Sequence, residues 1–503
     1  MSLELENSLP TNSLPTNSLP TNSLEGFSLR KSRRRFLRGV LAGATIAAGT
    51  AIAGVAGGFP GKVFASPGHT TPSSTTPTQA GSTIIPKRRY AADYTIHTEG
   101  NLVKAVNGTT GAVDYSDTDA KTVIQTAIDS LTNGGLVLLK AGTYTISGTI
   151  SVRNNSIGIC GEGPSTVLTI PNNSMGAGFR HVIYVQAHDF ELRDLQIDGN
   201  QTNQSPANYV YLVQLGTDYD DGSKGTQEAT RWNRLAVRNC TLVNAVSGHI
   251  RCFKCQYVTI ENNFLQTVTG NESCQVKNIM MGWVWDFEIK NNYCDLGTQR
   301  LGSNNIMVQH SGNTNSGSIR GKVVGNTCVN CTDSPIEVSS SSARSCLKAY
   351  VEDIVITKNT VRSGAGIISL QAHRVDITEN KIIGPGAGAG NAWGIRTGCS
   401  VNSDTTVACR DINIVGNIIQ GDRSFSRQGI RAAACGGAMQ GITVANNEIT
   451  DIADPGVGIQ IDGSDVPSPN HTTDITITNN TMTGVSQPLQ IVNTVSGAAI
   501  TVT

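Results

Sequence analysis

Arg396 and Arg431 stand out first, because a guanidinium offers a planar fork of donors that suits a carboxylate. They lie in short segments with a shared alternation. In Gly394-Ile395-Arg396-Thr397 and Gly458-Ile459-Gln460-Ile461-Asp462, the Ile and Thr positions turn inward while Arg396, Gln460 and Asp462 turn outward. Aligning related segments gives an outward row of Arg251, Met280, Met307, Glu337, Ser369, Arg396, Arg431, Gln460 and Gln490. A second row two residues later holds Phe253, Gln309, Ser339, Gln371 and Asp462. Glu337, His373 and Asp462 supply the remaining ionisable groups. Such a ribbon suits a long polar ligand that carries anions: Arg396 and Arg431 clamp a carboxylate, and Arg251, Glu337, Gln371, His373, Gln460 and Asp462 line its path. A glycoside hydrolase needs two carboxylates ~5 to 9.5 Å apart, and Glu337 and Asp462 are four segments apart in this register.

The elements that hold the ribbon are announced by a repeat. Beyond residue 235 the pattern apolar-x-apolar-x-x-Asn-x-apolar recurs, with Asn263, Asn292, Asn326, Asn359, Asn380, Asn417, Asn447 and Asn480 at its sixth place. Their mean separation is 31 residues, and Leu195 and Cys240 fill the same place in earlier copies. A period of that size with short strands and no helical spacing implies a solenoid with one coil per repeat. The Asn tolerates left-handed turn geometry, and a stack of amides can both donate and accept. Cys294 and Cys328 share an inward position in successive coils, close enough to bridge or to stack as buried thiols. Cys252 and Cys255 are spaced like half a zinc site, but Cys252 alternates inward, which favours packing. Cys399 and Cys409 flank a loop that they could close.

Ahead of the array, Asp117 to Leu131 carries apolar residues at helical spacing, with Asp117 or Thr118 as N-cap and Asn133-Gly134-Gly135 as stop. It reads as a helix capping the array. The strands Leu136–Leu139 and Thr143–Ile146 follow. The preceding residues divide into a leader at 1–65, a Ser/Thr/Pro-rich linker at 66–86 and the array at 87–503. The leader repeats Pro-Thr-Asn-Ser-Leu three times, then runs through Ser32-Arg33-Arg34-Arg35-Phe36-Leu37-Arg38 into an Ala/Gly-rich apolar stretch. The whole chain has 38 basic and 38 acidic residues, so no cationic excess marks a nucleic-acid partner.

These residues carry two resemblances. The segment from Ser32 to Arg38 resembles the twin-arginine export signal of prokaryotes, implying an extracellular, periplasmic or cell-surface location. The membrane is then a partner only through that segment, where it is retained. The span from about Ala112 onward resembles the right-handed parallel β-helix of the pectin-lyase-like superfamily. Its opening (Lys140-Ala141-Gly142-Thr143-Tyr144, Cys160-Gly161-Glu162-Gly163, Leu195-Gln196-Ile197-Asp198-Gly199-Asn200) is similar to the pectate-lyase-3 type of N-terminal segment. The resemblance implies an all-β, single-stranded right-handed helix of about 11 coils, rising ~4.8 Å per coil, with an N-terminal capping α-helix. It also implies an extracellular polysaccharide partner and a pectate-lyase-like β-elimination, in which Arg431 or Arg396 serves as base or neutralises the uronate, with Ca²⁺ as the candidate cation. The loop Asp218-Tyr219-Asp220-Asp221-Gly222 is a candidate Ca²⁺ ligand set or a plain acidic loop. The sequence departs from the family's better-known sites. The polygalacturonases' Asn-Thr-Asp and Gly-His-Gly are missing, Gly248-His249-Ile250 being half of the latter. The alginate epimerases' Asp-Pro-His-Glu is absent, and Trp285-Asp286-Phe287 lacks the His that follows Asp in pectate lyases. The alternative is a cell-surface structural or adhesion protein using the same rod without catalysis.

Overall fold

The computed structural model describes residues 92–503 apart from 176–178, 206–209, 218–230, 268–275, 298–302, 310–316, 341–350, 363, 385–392, 399–408, 423–426, 434–438, 453–454, 463–472 and 493–499. The leader, the export segment and the linker lie outside the described residues, as do Cys399 and the loop Asp218 to Gly222.

From Gly135 onward each coil passes through three strands, and strands of successive coils pair in parallel to build a right-handed parallel β-helix. Sheet 1 runs from Ile150–Val152 to Gln487–Val492, sheet 2 from Gly135–Leu139 to Ile500–Val502, and sheet 3 from Gly142–Thr145 to Thr481–Thr483. Sheet 3 contains 12 strands. Inside, like stacks on like. Ile250, Ile279, Ile306, Ile336, Ile367, Ile395, Ile430 and Ile459 follow one another on sheet 1, all of them fully buried. Volume is balanced between rungs as well as within them: Phe287 faces Gly321, where an added Cβ would fall 2.0 Å from the ring, so only glycine fits beneath that phenyl.

The helix Ala120–Ser130 buries Ala120, Val123, Ile124, Ala127 and Ile128 against the first coil. Its N-cap is Asp119, whose carboxylate accepts the Thr122 N–H at 3.1 Å, rather than Asp117 or Thr118. Asp117 instead accepts the Asp119 N–H from one turn outside. The helix ends at Leu131, before Asn133. An antiparallel meander of Tyr94–Glu99, Leu102–Asn107 and Val113–Asp117 precedes it. Tyr94–Glu99 also pairs in parallel with Gly135–Leu139.

The eight asparagines stand one above another at the corner between sheets 2 and 3. From Asn292 onward each Oδ1 accepts two donors from the preceding coil: Asn359 Oδ1 takes the Asn326 backbone N–H at 2.9 Å and its Nδ2 at 3.0 Å. Each Nδ2 also reaches a carbonyl of the preceding coil, as from Asn359 to Val323 at 2.9 Å. The last acceptor upstream, Asn263 Oδ1, takes the N–H of Cys240. The left-handed conformation falls on the residue before each ladder asparagine, Asn262, Asn291, Gly325, Lys358, Glu379, Gly416, Asn446 and Asn479. The ladder residue itself does not adopt it, because its side chain must point inward along the stack. Cys294 and Cys328 are neighbours on sheet 3 and are buried free thiols, and Cys252, Cys255 and Cys409 are likewise buried and free.

Sheet 2 carries a second column of left-handed residues, one per coil, most of them charged. Asp189, Arg234, Tyr257, Asp286, Arg320, Asp353, Arg374 and Asp411 all have positive φ. Neighbours of opposite sign pair along it: Arg234 with Asp189, Arg320 with Asp286 at 2.6 and 2.8 Å, and Arg374 with Asp353 at 2.5 and 3.0 Å. These forked contacts offset backbone strain of order 1 kcal/mol per residue.

Replacing Asn359 by Ala strands the Asn326 N–H and the Val323 carbonyl, at roughly 1–3 kcal/mol for each unsatisfied group. Urea unfolding is expected to show a loss of about 2–6 kcal/mol. Asn480→Ala, at the open end of the ladder, is expected to cost at most half as much. Equal losses at the two positions would contradict an energetic role for the stack.

Candidate functional site

Sheet 1 differs from the other two in what surrounds it. From Asn263 onward the link between sheets 2 and 3 is always two residues, the second being the ladder asparagine, as from Thr357 to Thr360 or Ala445 to Glu448. The connections entering and leaving sheet 1 vary widely. The chain enters it from Gln266 to Lys277 in one coil and from Thr483 to Gln487 in another, and leaves it from Gly398 to Cys409 but from Leu370 to Ala372. Where the exit is short, a single left-handed residue turns the corner: Lys254, Trp283 or Gln371. The variation in repeat length is therefore spent on the two edges of sheet 1, where connecting segments carry function most often.

The outer row of sheet 1 reads Tyr184, Gln214, Arg251, Met280, Met307, Glu337, Ile368, Arg396, Arg431, Gln460, Gln490. Ile368 occupies the place assigned to Ser369 from the sequence. Ser369 points into the core between Val338 and Thr397. The second row therefore passes through Leu370, and Gln371 is the corner residue, not a rung. His373 stands beyond that corner on sheet 2, between Glu352 and Arg410. Asp462 is on the second row beside Ala433. Arg251 is on the first row but only 1% exposed, its guanidinium 5.5 Å from the Tyr211 ring centroid and 5.6 Å from that of Phe253, so a polymer lying on the surface would not reach it. Met280, Met307 and Phe253 are also buried although they face away from the core. The accessible stretch begins at Glu337 and continues through Arg396, Arg431, Gln460 and Gln490.

At one end of that stretch Glu337 is held by both oxygens. Ser339 Oγ donates to Oε1 at 2.7 Å and Asn304 Nδ2 to Oε2 at 2.9 Å. Lys277 and Asp333 act on it electrostatically. Burial raises the Glu337 pKa above the ordinary glutamate value, against the opposing pull of Ser339, Lys277 and Asn304. Burial lowers that of Lys277, against the attraction of Glu337 and Asp333, and raises that of Asp333. Lys277 and Asn304 were missed from sequence because strict alternation fails at the entry corner. His249, Asn278 and Asn305 turn inward immediately before the inward isoleucines, so the residue before each, Lys277 in its coil, returns to the outer surface. These three form a second internal polar stack, with Asn278 Nδ2 donating to Asn305 Oδ1 at 3.0 Å. His249 is fully buried and its pKa is pushed down to about 4 by that burial, which makes it a neutral structural imidazole.

Next along the row, Ile368, Ala365 and Trp393 form a small apolar cluster of their own with Leu370 packed against it. Arg396 lies 4.5 Å from the Trp393 ring centroid, and Arg431, one rung on, lies 5.9 Å from it. Arg431 donates to Asp462 Oδ2 at 3.0 Å, while its Nε is buried with no hydrogen-bond partner. Two like charges on adjacent rungs repel, and Asp462 pairs with Arg431. Among the described residues no group of three or more His, Cys, Asp or Glu side chains is placed to hold a cation.

No protein-family model matches the chain, and no curated protein does. Among solved structures it is similar to the A-module of mannuronan C-5 epimerase AlgE6 from Azotobacter vinelandii, at 15% identity and a TM-score of 0.53, over 76% of this chain and 94% of that one. It is similar to the catalytic unit of a thermostable GH87 alpha-1,3-glucanase from Streptomyces thermodiastaticus strain HF3-3, at 15% identity and a TM-score of 0.52, over 76% of this chain and 65% of that one. The pre-mature bacteriophage phi29 gene product 12 matches at 14% identity and a TM-score of 0.50, over 76% of this chain and 56% of that one. At these identities what is shared is the fold.

A carboxyl group whose folded-state pKa is raised contributes stability below its ordinary pKa of ~4.3 and loses it as pH rises through the folded value. The Tm of Glu337→Gln relative to the native chain is therefore expected to climb with pH from about 4.3 upward and to level off above the folded pKa. A difference that falls over this range would show that the carboxylate, not the carboxyl, is the favoured form.

Proposed function

We propose that the chain is exported by the twin-arginine route and acts outside the cytoplasm on an acidic polysaccharide, laid along sheet 1 from Glu337 to Gln490 and cleaved by β-elimination. The observation that carries this reading is the pair Arg396 and Arg431 on adjacent rungs of the sheet whose two edges receive the variable connections from Asn263 onward. A rung spacing of ~4.8 Å is close to the length of one sugar, so a polyuronate can offer a carboxylate to each arginine. A guanidinium stays protonated in proteins, so both arginines serve to neutralise the uronate rather than to remove its proton. The likeness to polysaccharide-acting enzymes supports the fold's suitability for such a substrate. A binding-only, adhesive role draws on the Arg431–Asp462 ion pair, which holds one of the two cations in place without a ligand.

Incubation with a panel of uronic-acid polymers, with and without Ca²⁺, distinguishes the two roles. The expected result is an unsaturated uronate product. Arg396→Ala is expected to weaken polymer binding by about 10- to 100-fold, as for loss of a hydrogen bond to a charged group. Binding without product supports the adhesive role. Equal affinity for neutral and acidic polymers would remove the argument from the arginines.

A further inference from the structure

Resting on the reading that an acidic polysaccharide lies along sheet 1, we propose that Asp462 sets the specificity of that surface by competing with a uronate carboxylate for the Arg431 guanidinium. Sheet 2 shows what a completed arginine–carboxylate pair is in this molecule. Arg234 with Asp189, Arg320 with Asp286 and Arg374 with Asp353 occupy the same place in successive coils. In each pair Nε donates to one carboxylate oxygen and Nη2 to the other. Arg431 and Asp462 form only half of that fork. Nη2 donates to Asp462 Oδ2 at 3.0 Å, while Nε, the neighbouring donor on the same edge, is buried without an acceptor. Register accounts for the difference: Gln460 is the residue paired with Arg431, and Asp462 is paired with Ala433, so the carboxylate meets the guanidinium on a diagonal.

A buried N–H without an acceptor is unfavourable, and a carboxylate that takes Nε and Nη2 together removes that penalty. The Arg431 side chain is 23% exposed and that of Asp462 11%, so the guanidinium is the more accessible half of the pair. Beside Arg396 and Arg431 the second row carries only Gly398 and Ala433, so no large side chain of those two rungs screens either arginine. On binding, Arg431 swings off Asp462 and offers both donors to a uronate, which fills the fork as Asp353 fills that of Arg374. One internal carboxylate is exchanged for one of the ligand's, and no covalent bond changes. The gain at this rung is the difference between two carboxylate pairs, not the whole of either. A neutral sugar offers nothing to exchange and leaves Arg431 on Asp462. The pair is thus a latch that opens to acidic chains alone.

The test measures affinity (Kd, or KM where product forms) for polygalacturonate and polymannuronate and for the neutral methyl ester of each, at about 0.15 M salt to screen distant charges. The proteins are the native chain, Asp462→Asn and Asp462→Ser, each also combined with Arg431→Ala. Removing the competing carboxylate is expected to tighten polyuronate binding about 5- to 30-fold, the difference between a hydrogen bond to a charged and to a neutral acceptor. Binding of the esters is expected to stay within about twofold of native. In the Arg431→Ala background the same substitutions are expected to change polyuronate affinity by less than about twofold, because nothing remains to compete for. A gain that persists without Arg431 would mean that Asp462 merely repels the polymer, and overturns the assignment. Unchanged or weaker polyuronate binding in both Asp462 variants overturns it as well, and in either case the acidic-polysaccharide reading stands. If the native chain and the Asp462 variants bind neither polyuronate better than its ester, both readings fall.

Discussion

The amide ladder is the interaction on which the rest of the molecule depends. A side-chain carbonyl in a protein interior must find donors or incur a desolvation penalty, and here each Oδ1 from Asn292 onward receives two N–H groups from the coil before it. The requirement is mutual, since the same amide's Nδ2 must reach the coil after it and a carbonyl behind it. Only one corner geometry meets all three demands, and it recurs from Asn263 to Asn480. Where the stack begins, a backbone N–H at Cys240 closes it. The two-residue corner then sets the register of sheets 2 and 3, and the aligned aliphatic columns follow from that register.

The charge columns of sheets 1 and 2 divide along the same logic. On sheet 2 Asp and Arg alternate apart from Tyr257, and Arg234, Arg320 and Arg374 each pair with the aspartate of the preceding coil. That column is complete by itself. On sheet 1 two arginines follow one another, the second paired with Asp462. Like charges at neighbouring rungs are unfavourable, and the Arg431–Asp462 pair offsets part of that repulsion. Behind them the buried Ile368 interrupts the accessible part of the row before Glu337.

The repeat was legible because its asparagines are singular: a polar residue at a fixed place between aliphatics has few other uses. The strand alternation on sheet 1 was legible wherever isoleucine and polar residues took turns, as in Gly458 to Asp462. It failed at Ile367-Ile368-Ser369, where two isoleucines leave the phase undecided and the hydrophobic choice puts Ser369 outside. The main chain decided otherwise, because Ile368 is covered by Trp393 and Ser369 fits beside Thr397 in the interior. The Glu337 surroundings were invisible for a different reason. Lys277 and Asn304 come from coils whose alternation is broken by two consecutive inward residues, and nothing local in the sequence marks that break. His373 and Gln371 were misplaced by a corner only one residue long.

The constancy of the ladder corner also bears on how such a protein can change over generations. Because the register is held along the edge remote from sheet 1, a segment inserted beside sheet 1 alters the edges of that sheet without disturbing its rungs. Descendants could exchange whole edges, coil by coil, and acquire new ligands while inheriting the same spine. The same freedom is open to an engineer who grafts connections at that edge.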